Sequence, residues 1–149
     1  MKNLDKNQLL HSIPNLLTRI TIGFVFFQSG WGKLHHLGKV IEFFESLKIP
    51  FAQLQAPFVA TFEFLGGILL LLGLGVRLIS IPLMVIMSVA VATAKSGDIH
   101  ELGDLFSVYE YLYVLLLFWL VVEGAGLISV DYLLKKKGIL GKLYYSFRK

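Results

Sequence analysis

The sequence predicts an all-α integral membrane protein, a bundle of four transmembrane helices that forms a single domain over residues 1–149. Composition is the first reason, because 56% of the residues are apolar and 16% are charged, against about 45–50% and about 25% in soluble domains. The mean hydropathy is +0.71. Four apolar runs, each about long enough to cross a hydrocarbon layer, are the second reason. The remaining segments are too short for a soluble nucleotide-binding domain.

The four predicted spans cover approximately 14–34, 57–76, 78–94 and 106–128. The helix-like N-terminal lead is predicted to end at Pro14, where the first span begins. The second and third spans have so few residues between them that they must form an antiparallel hairpin. A cleaved signal peptide is the alternative for the first span. It is disfavoured because no small-residue cleavage site follows and because Arg19 interrupts the apolar run.

Two further segments are predicted to contact the membrane surface. Apolar and charged residues recur at helical spacing over approximately 38–48, which predicts a short amphipathic helix lying at the interface. The C-terminal tail is basic and aromatic, a composition that suits an anionic membrane surface. Membrane lipids are therefore predicted partners, and nucleic acid is not.

The basic residues predict the orientation of the chain. With four spans both termini lie on one side, and ten of the 14 lysines and arginines fall there, against four on the other side. Because cytoplasmic loops carry the excess of positive charge, both termini are predicted to be cytoplasmic. The four residues on the opposite side are Lys33, Lys39, Lys48 and Lys95.

The chain contains no cysteine, which excludes disulfides, iron–sulfur clusters and thiol exchange by this chain itself. The four histidines lie outside the predicted spans or at their edges, which disfavours haem held between helices. His35, His36 and His100 share one side with Glu101 and Asp104, but solvated loop histidines are the favoured interpretation, and no metal site is predicted.

Ionisable residues inside membrane spans are costly, so each one requires an explanation. Counting depth at about 1.5 Å per residue brings one residue from each of the four spans to the same outer level. These candidates for ligand binding or proton handling are Lys33, Glu63, Lys95 and Glu110, with Gln28 close in depth.

Two interpretations of this outer group carry about equal weight. In one, the charges form an ion-pair network that fixes helix packing. In the other, they line a polar pocket that binds a head group, a quinone ring or a small acid, with a carboxylate moving protons. Spacing alone does not decide between them.

A second polar group lies at the inner ends of the predicted spans and is interpreted as structural. Arginines at such positions commonly extend to lipid phosphates, and Glu123 is expected to have an arginine partner. Its members are Arg19, Arg77, Glu123 and Asp131.

Several spaced motifs occur in a fixed order along the chain. They are R-x3-G-x6-G-x2-K from Arg19, E-x2-GG-x5-G-x3-R from Glu63, YEY around Glu110, and G-x-G-x-x-S-x-D from Gly124. In this order the motifs resemble the DoxX family of bacterial four-helix membrane proteins, over about residues 16–134. Arg19, Lys33, Glu63, Arg77 and Glu110 fall on the family's characteristic polar positions, whereas Glu123 departs from the usual apolar or small residue.

The resemblance implies a subunit in the bacterial plasma membrane that is associated with redox processes. Members of that family include the membrane subunit of a thiosulfate:quinone oxidoreductase and partners of thiol and superoxide defence enzymes. Others accompany the biosynthesis of metal-binding peptides. No cofactor is fixed by the sequence, and a quinone is the candidate that the resemblance suggests.

Three functional hypotheses follow. The first is a redox-associated subunit, itself catalytic or not, that binds a quinone or similar lipid-soluble ligand at Lys33, with Glu63 or Glu110 handling protons. The second is a non-catalytic anchor or assembly partner for a redox or metal-peptide system, acting with a protein partner or as a homo-oligomer. Transport is a weaker third hypothesis, because one four-helix chain encloses little volume and shows no inverted repeat.

Overall fold

A computed structural model of the chain describes residues 6–94 and 102–136. These residues form α-helices and turns, and no β-strand occurs among them. In chain order the helices are α1 (Lys6–His35), α2 (Leu37–Ser46), α3 (Ala52–Leu72), α4 (Val76–Ala94), α5 (Leu102–Ser107), α6 (Tyr109–Glu123) and α7 (Val130–Lys136).

The most extensive contact joins α1 to α3, which run antiparallel. Glycines let the two backbones approach closely. A Cβ added to Gly30 would lie 2.3 Å from the backbone nitrogen of Phe64, and one added to Gly67 would lie 2.3 Å from that of Phe27. Small residues at a helix crossing permit this approach, which is how membrane helices gain packing contacts without a hydrophobic driving force.

The second extensive contact joins α4 to α6. The α3–α4 hairpin and a smaller contact between α1 and α6 connect the two pairs. The hydrophobic core between the four helices consists of Ile22, Phe26, Leu70, Val76, Leu83, Met87, Leu117 and Leu120. This core fixes the relative positions of the polar side chains at its two ends.

Large apolar side chains also cover the outside of these helices. Leu78 is 78% exposed, and Leu17, Phe24, Phe118 and Val122 are each more than half exposed. A soluble monomer rarely leaves so large an apolar surface in water. By length and composition, α3 and α4 can each cross a membrane. The helices are therefore of the membrane type, while the crossing by all four predicted spans stays a prediction.

The helices that correspond to the first two predicted spans, α1 and α3, begin before the predicted positions. α1 continues through Pro14 instead of beginning there, so the proposed end of the N-terminal lead was wrong. Pro14 is exposed on α1, and it removes one backbone N–H donor from the helix. α3 begins at Ala52, before Pro57, and ends at Leu72, because Gly73 adopts a left-handed conformation with φ 70°.

The predicted fourth segment, 106–128, is not one helix. Val108 is extended and separates α5 from α6, and α6 ends at Glu123. Gly124 then has φ 80° and ψ −154°, a conformation open essentially to glycine alone. The 15 residues of α6 span about 22 Å, which is less than the hydrocarbon thickness of about 30 Å.

The segment predicted as an interfacial helix corresponds to α2, Leu37–Ser46, which packs on α3. Lys39, Glu42 and Glu45 are exposed, whereas Ile41 and Phe44 are half-buried. Its position at a membrane interface stays a prediction. The tail beyond residue 136 lies outside the described residues.

Candidate functional site

Three polar side chains meet where the C-terminal part of α1 crosses α3. Lys33 Nζ lies 2.5 Å from each carboxylate oxygen of Glu63, and Ser29 Oγ donates to Glu63 Oε2 at 2.9 Å. Glu63 is fully buried, while the Lys33 side chain is 29% exposed. We call Ser29, Lys33 and Glu63 the Lys33–Glu63 cluster.

The glycine contact between the helices explains why these residues meet. Gly30 presses against the backbone of Phe64, and Glu63 is the residue immediately before Phe64. Lys33 follows Gly30 by three residues and lies on the same face of α1. The close backbone approach therefore brings the lysine ammonium onto a carboxylate that has no access to solvent.

Within the described residues, one N–H donor of the Lys33 ammonium has no acceptor. A lysine carries three N–H donors, and the two carboxylate oxygens accept from Lys33 Nζ. Within the described residues Lys33 makes no other side-chain hydrogen bond. Because Lys33 is partly exposed, a carbonyl or other acceptor arriving from outside could accept from it.

Aromatic residues adjoin the cluster in sequence, because Phe64 follows Glu63 and Trp31 precedes Lys33 by two residues. The centroid of Phe64 is 5.3 Å from that of Phe27 and 5.6 Å from that of Trp31, and Trp31 is 51% exposed. The Trp31 ring also lies 4.2 Å from the His35 ring. These rings form a partly exposed aromatic group on α1 and α3.

The other predicted members of the outer group do not join this cluster. Gln28 is exposed on α1, and Glu110 is half-buried in the first turn of α6. Neither makes a side-chain hydrogen bond or ion pair within residues 6–94 and 102–136. Lys95 lies outside the described residues. The structure therefore brings Lys33 and Glu63 together and leaves Gln28 and Glu110 apart from them.

At the other end of α1, the Arg19 guanidinium is surrounded by backbone carbonyls and is only 2% exposed. Nε donates to Leu70 O at 3.0 Å and Nη2 to Leu71 O at 3.4 Å. Nη1 donates to Ala125 O and, at 2.9 Å, to Ile128 O. We call these contacts the Arg19 network. It links the C-terminal end of α3 to the turn after α6, where helix carbonyls lack intrahelical donors.

The expectation that Arg19 extends to lipid phosphate was wrong, because its guanidinium is buried in the protein. Glycine makes room for it, since a Cβ on Gly73 would lie 2.5 Å from Arg19 Nη2. The sequence does not directly indicate that Arg19 binds backbone carbonyls. These carbonyls are available as acceptors only because glycine-containing turns end α3 and α6.

Arg77 and Asp131 lie near the same end. Arg77 Nη2 donates to Val122 O at 2.9 Å and to the backbone oxygen of Glu123 at 3.4 Å. Asp131 Oδ1 accepts from the Gly75 N–H at 2.9 Å, and the Asp131 N–H donates to Gly73 O at 3.1 Å. Arg77, the arginine near Glu123, therefore contacts the Glu123 backbone and not the side chain. The Glu123 carboxylate forms no ion pair within the described residues.

Asn15 and Ser80 are buried polar residues that the sequence analysis did not identify. Asn15 Nδ2 donates to Gly124 O at 3.0 Å, whereas Asn15 Oδ1 and Ser80 Oγ have no hydrogen-bond partner within the described residues. The signal for Asn15 was available, because it precedes Arg19 by four residues and so lies on the same helix face. Ser80 shares the buried face of α4 with Val76, Leu83 and Met87.

No group of three or more potential metal ligands occurs within the part of the chain that the structure describes. His35 Nδ1 lies 2.9 Å from Trp31 O within α1. His100 and Glu101, which the sequence placed on the same side as His35, lie outside the described residues.

Residues 15–96 match the family model of DoxX. The chain belongs to the DoxX family. A related protein of Bacillus subtilis (strain 168), named "Putative oxidoreductase CatD", is 28% identical over 119 residues, which cover 80% of this chain and 85% of the relative. No solved structure matches this DoxX protein. The match includes Arg19, Lys33, Glu63 and Arg77, so the Lys33–Glu63 cluster lies wholly within the DoxX region, whereas Glu110, Glu123 and Asp131 lie beyond it.

Proposed function

We propose that this DoxX protein is a redox-associated membrane subunit that binds a quinone, or a similar lipid-soluble carbonyl compound, at the Lys33–Glu63 cluster. The free Lys33 N–H donor carries the proposal. It lies on a partly exposed ammonium that Glu63 holds in place from the buried side. Such a donor suits a carbonyl oxygen, and the oxidoreductase in the name of the Bacillus relative supports the redox association.

The neighbouring rings suit the same ligand class. Phe64 and the half-exposed Trp31 provide flat apolar faces against which an aromatic or quinonoid ring can pack. A site with one or two polar groups in an apolar and aromatic surrounding is the usual composition of a small-molecule site. Lys33 would orient the carbonyl, and the rings would supply most of the contact area.

When bound, a quinone supplies two-electron redox chemistry, and its reduction takes up protons. The contribution of this chain is acid–base chemistry at Lys33 Nζ and the Glu63 carboxylate, which can exchange a proton with each other and with a bound carbonyl. The chain has no cysteine. Electrons would therefore come from an oxidoreductase partner, with this subunit supplying the membrane site.

The placement in the membrane is part of the proposal. The four long helices α1, α3, α4 and α6 would cross the plasma membrane, with α5 and α7 completing the path of the shorter α6. Both termini would face the cytoplasm. The apolar outer surface and the distribution of lysine and arginine support this arrangement.

The test is mass spectrometry of small molecules extracted from the full chain, purified in native lipid nanodiscs, with an absorbance spectrum of the same sample. Stoichiometric quinone in the wild type, lost in Glu63→Gln and Lys33→Gln, is the expected result. Lys39→Gln is the matched control, because Lys39 is exposed on α2 and carries the same charge. Equal quinone content in all four proteins would refute binding at the cluster.

A second function, a non-catalytic anchor or assembly partner, is favoured by one observation. Both Glu63 oxygens already have donors, so the cluster is complete as a packing element. This function predicts a ligand-free protein in which breaking the pair lowers the unfolding temperature and the recovery of a protein partner together. The quinone function predicts ligand loss from a Glu63→Gln protein that remains folded.

A further inference from the structure

A cavity of about 450 Å³ lies at the end of the molecule that carries the Arg19 network. Its wall comes from three parts of the chain: the start of α4, the turn after α6, and α7. The charged lining residues are Arg77, Glu123, Asp131 and Lys135. We call it the helix-end cavity. About 21 Å of α1 separates this level from that of Lys33, so the cavity is distinct from the Lys33–Glu63 cluster.

Arg77 leaves part of its guanidinium available to this cavity. Nη2 contacts the carbonyls of Val122 and Glu123, and no other donor of Arg77 forms a hydrogen bond within the described residues. Gly124 permits this position, because a Cβ there would lie 2.8 Å from Arg77 Nε. The backbone thus holds the guanidinium in a fixed place with donors to spare, an arrangement suited to phosphate.

The acidic lining residues also retain acceptors. Asp131 Oδ1 accepts from the Gly75 N–H, which is the one side-chain hydrogen bond of Asp131 within the described residues, and the Asp131 carboxylate also interacts electrostatically with Arg19. The Glu123 side chain is exposed and makes no hydrogen bond or ion pair within the described residues. Among the described lining residues, two basic and two acidic side chains balance each other in charge. Charge complementarity therefore favours a ligand that carries both an anion and a cation over a simple anion.

Apolar surface adjoins the charged lining. Leu78 lines the cavity and is 78% exposed, and the exposed side chains of Val122 and Ile128 adjoin the turn that forms its wall. A ligand at this position would meet polar groups at one end and lipid-type surface at the other. A free zwitterion would contact only the polar groups, whereas a phospholipid would contact both the polar groups and the apolar surface.

We propose that the helix-end cavity binds the head group of a zwitterionic phospholipid with a primary ammonium, such as phosphatidylethanolamine. Arg77 and Lys135 would contact the phosphate, Glu123 and Asp131 the ammonium, and Leu78 an acyl chain. The proposal rests on the membrane placement of α4 and α6 and is independent of quinone binding at Lys33.

The experiment is native mass spectrometry of the full chain released from detergent micelles, with lipids of identical acyl chains added one at a time. The wild type should retain phosphatidylethanolamine in preference to phosphatidylcholine, whose quaternary ammonium cannot donate hydrogen bonds, and to phosphatidylglycerol, which lacks the cation. Glu123→Gln should lower the ethanolamine-lipid occupancy about five-fold, the size expected for one partly hydrated charge contact, and leave phosphatidylglycerol unchanged.

Arg77→Gln should lower the occupancy of all three lipids, because each carries a phosphate, while Lys39→Gln serves as the charge-matched control. Glu123→Gln is expected to leave the protein folded, since the Glu123 side chain is exposed and makes no hydrogen bond or ion pair within the described residues. An unchanged preference for phosphatidylethanolamine in Glu123→Gln, or unchanged occupancy of all three lipids in Arg77→Gln, would overturn the proposal. Equally tight retention of soluble phosphoethanolamine would also overturn it, because the ligand would then be a free zwitterion.

Discussion

Arg19 and Lys33 lie on one face of α1, but the structure accommodates their two charges differently. Arg19 donates to four backbone carbonyls and, within the described residues, to no carboxylate. Lys33 instead pairs with the carboxylate of Glu63. Arginine suits the first environment because its planar guanidinium presents five donors in a fixed geometry, whereas lysine suits a single compact acceptor.

Arg19→Lys should therefore be strongly destabilising although the charge is kept. The shorter array of three donors cannot reach carbonyls on both α3 and the turn after α6, so several buried acceptors lose their partners. We expect a loss of roughly 2–4 kcal/mol in the free energy of unfolding. Thermal unfolding followed by tryptophan fluorescence in detergent measures it. Arg77→Lys, at an exposed position, should change stability by under about 1 kcal/mol. Equal effects of the two changes would contradict the Arg19 network.

The Lys33–Glu63 pair should respond asymmetrically to loss of either partner. Lys33→Met leaves a fully buried carboxylate without its cation, which costs roughly 3–5 kcal/mol. Glu63→Gln leaves a lysine that is partly exposed and can remain hydrated, so about 1 kcal/mol is expected. The same unfolding assay compares them, and Lys33→Met with Glu63→Met together should recover much of the loss. A larger loss of stability in Glu63→Gln than in Lys33→Met would contradict the argument that the deeper burial of Glu63 determines the effect of each substitution.

Residue depth along the predicted spans was enough to place Lys33 beside Glu63. It was not enough for Gln28 or Glu110, because depth along a helix does not fix rotation about the helix axis. Gln28 lies on an exposed face of α1, and Glu110 is in the first turn of α6, away from the cluster. Arg19 shows a different limit of sequence-based prediction. Its partners are backbone carbonyls, which every residue has, so the side-chain identities do not indicate them.

At the scale of elements, helix ends are governed by glycine more than by apolar length. The apolar run of 106–128 predicts one long helix, but positive φ values at Gly124 and Gly126 end α6 and turn the chain toward α7. Pro14 and Pro57, read as helix starts, lie inside α1 and α3. A proline cancels one hydrogen bond, and packing of the flanking turns against a neighbouring helix can maintain the helix around it.

The close packing of α1 on α3 should depend on Gly30 and not on the nearby Gly32. Gly30→Ala places a Cβ 2.3 Å from the Phe64 backbone, so the helices must separate, and we expect a loss of roughly 1–3 kcal/mol in stability together with a weakened Lys33–Glu63 pair. Gly32→Ala meets nothing within 4 Å and should leave stability unchanged or raise it by up to about 1 kcal/mol. The melting temperatures of the two variants test this prediction. A Gly30→Ala protein as stable as Gly32→Ala would disprove the close backbone approach of α1 and α3.

At the scale of the whole molecule, the antiparallel course of α1, α3 and α4 places the turn between α2 and α3 at one end and the α3–α4 hairpin at the other. The Lys33–Glu63 cluster lies toward the first end, and the Arg19 network and the helix-end cavity lie at the second. If the molecule spans a membrane, the two polar regions therefore face opposite leaflets. A quinone-type ligand and a phospholipid head group would then be bound independently from the two sides.

The absence of native cysteine makes this arrangement directly measurable, because a single introduced cysteine is the only thiol in the chain. Glu45→Cys, exposed in α2, and Leu133→Cys, exposed in α7, lie at the two ends. With cytoplasmic termini, a membrane-impermeant maleimide should label Glu45→Cys in intact cells and Leu133→Cys only after permeabilisation. Labelling of both in intact cells would place them on one side and rule out the four-span arrangement. The reverse pattern would keep the spans and invert the orientation, which would move the Lys33–Glu63 cluster to the cytoplasmic leaflet and the helix-end cavity to the outer one.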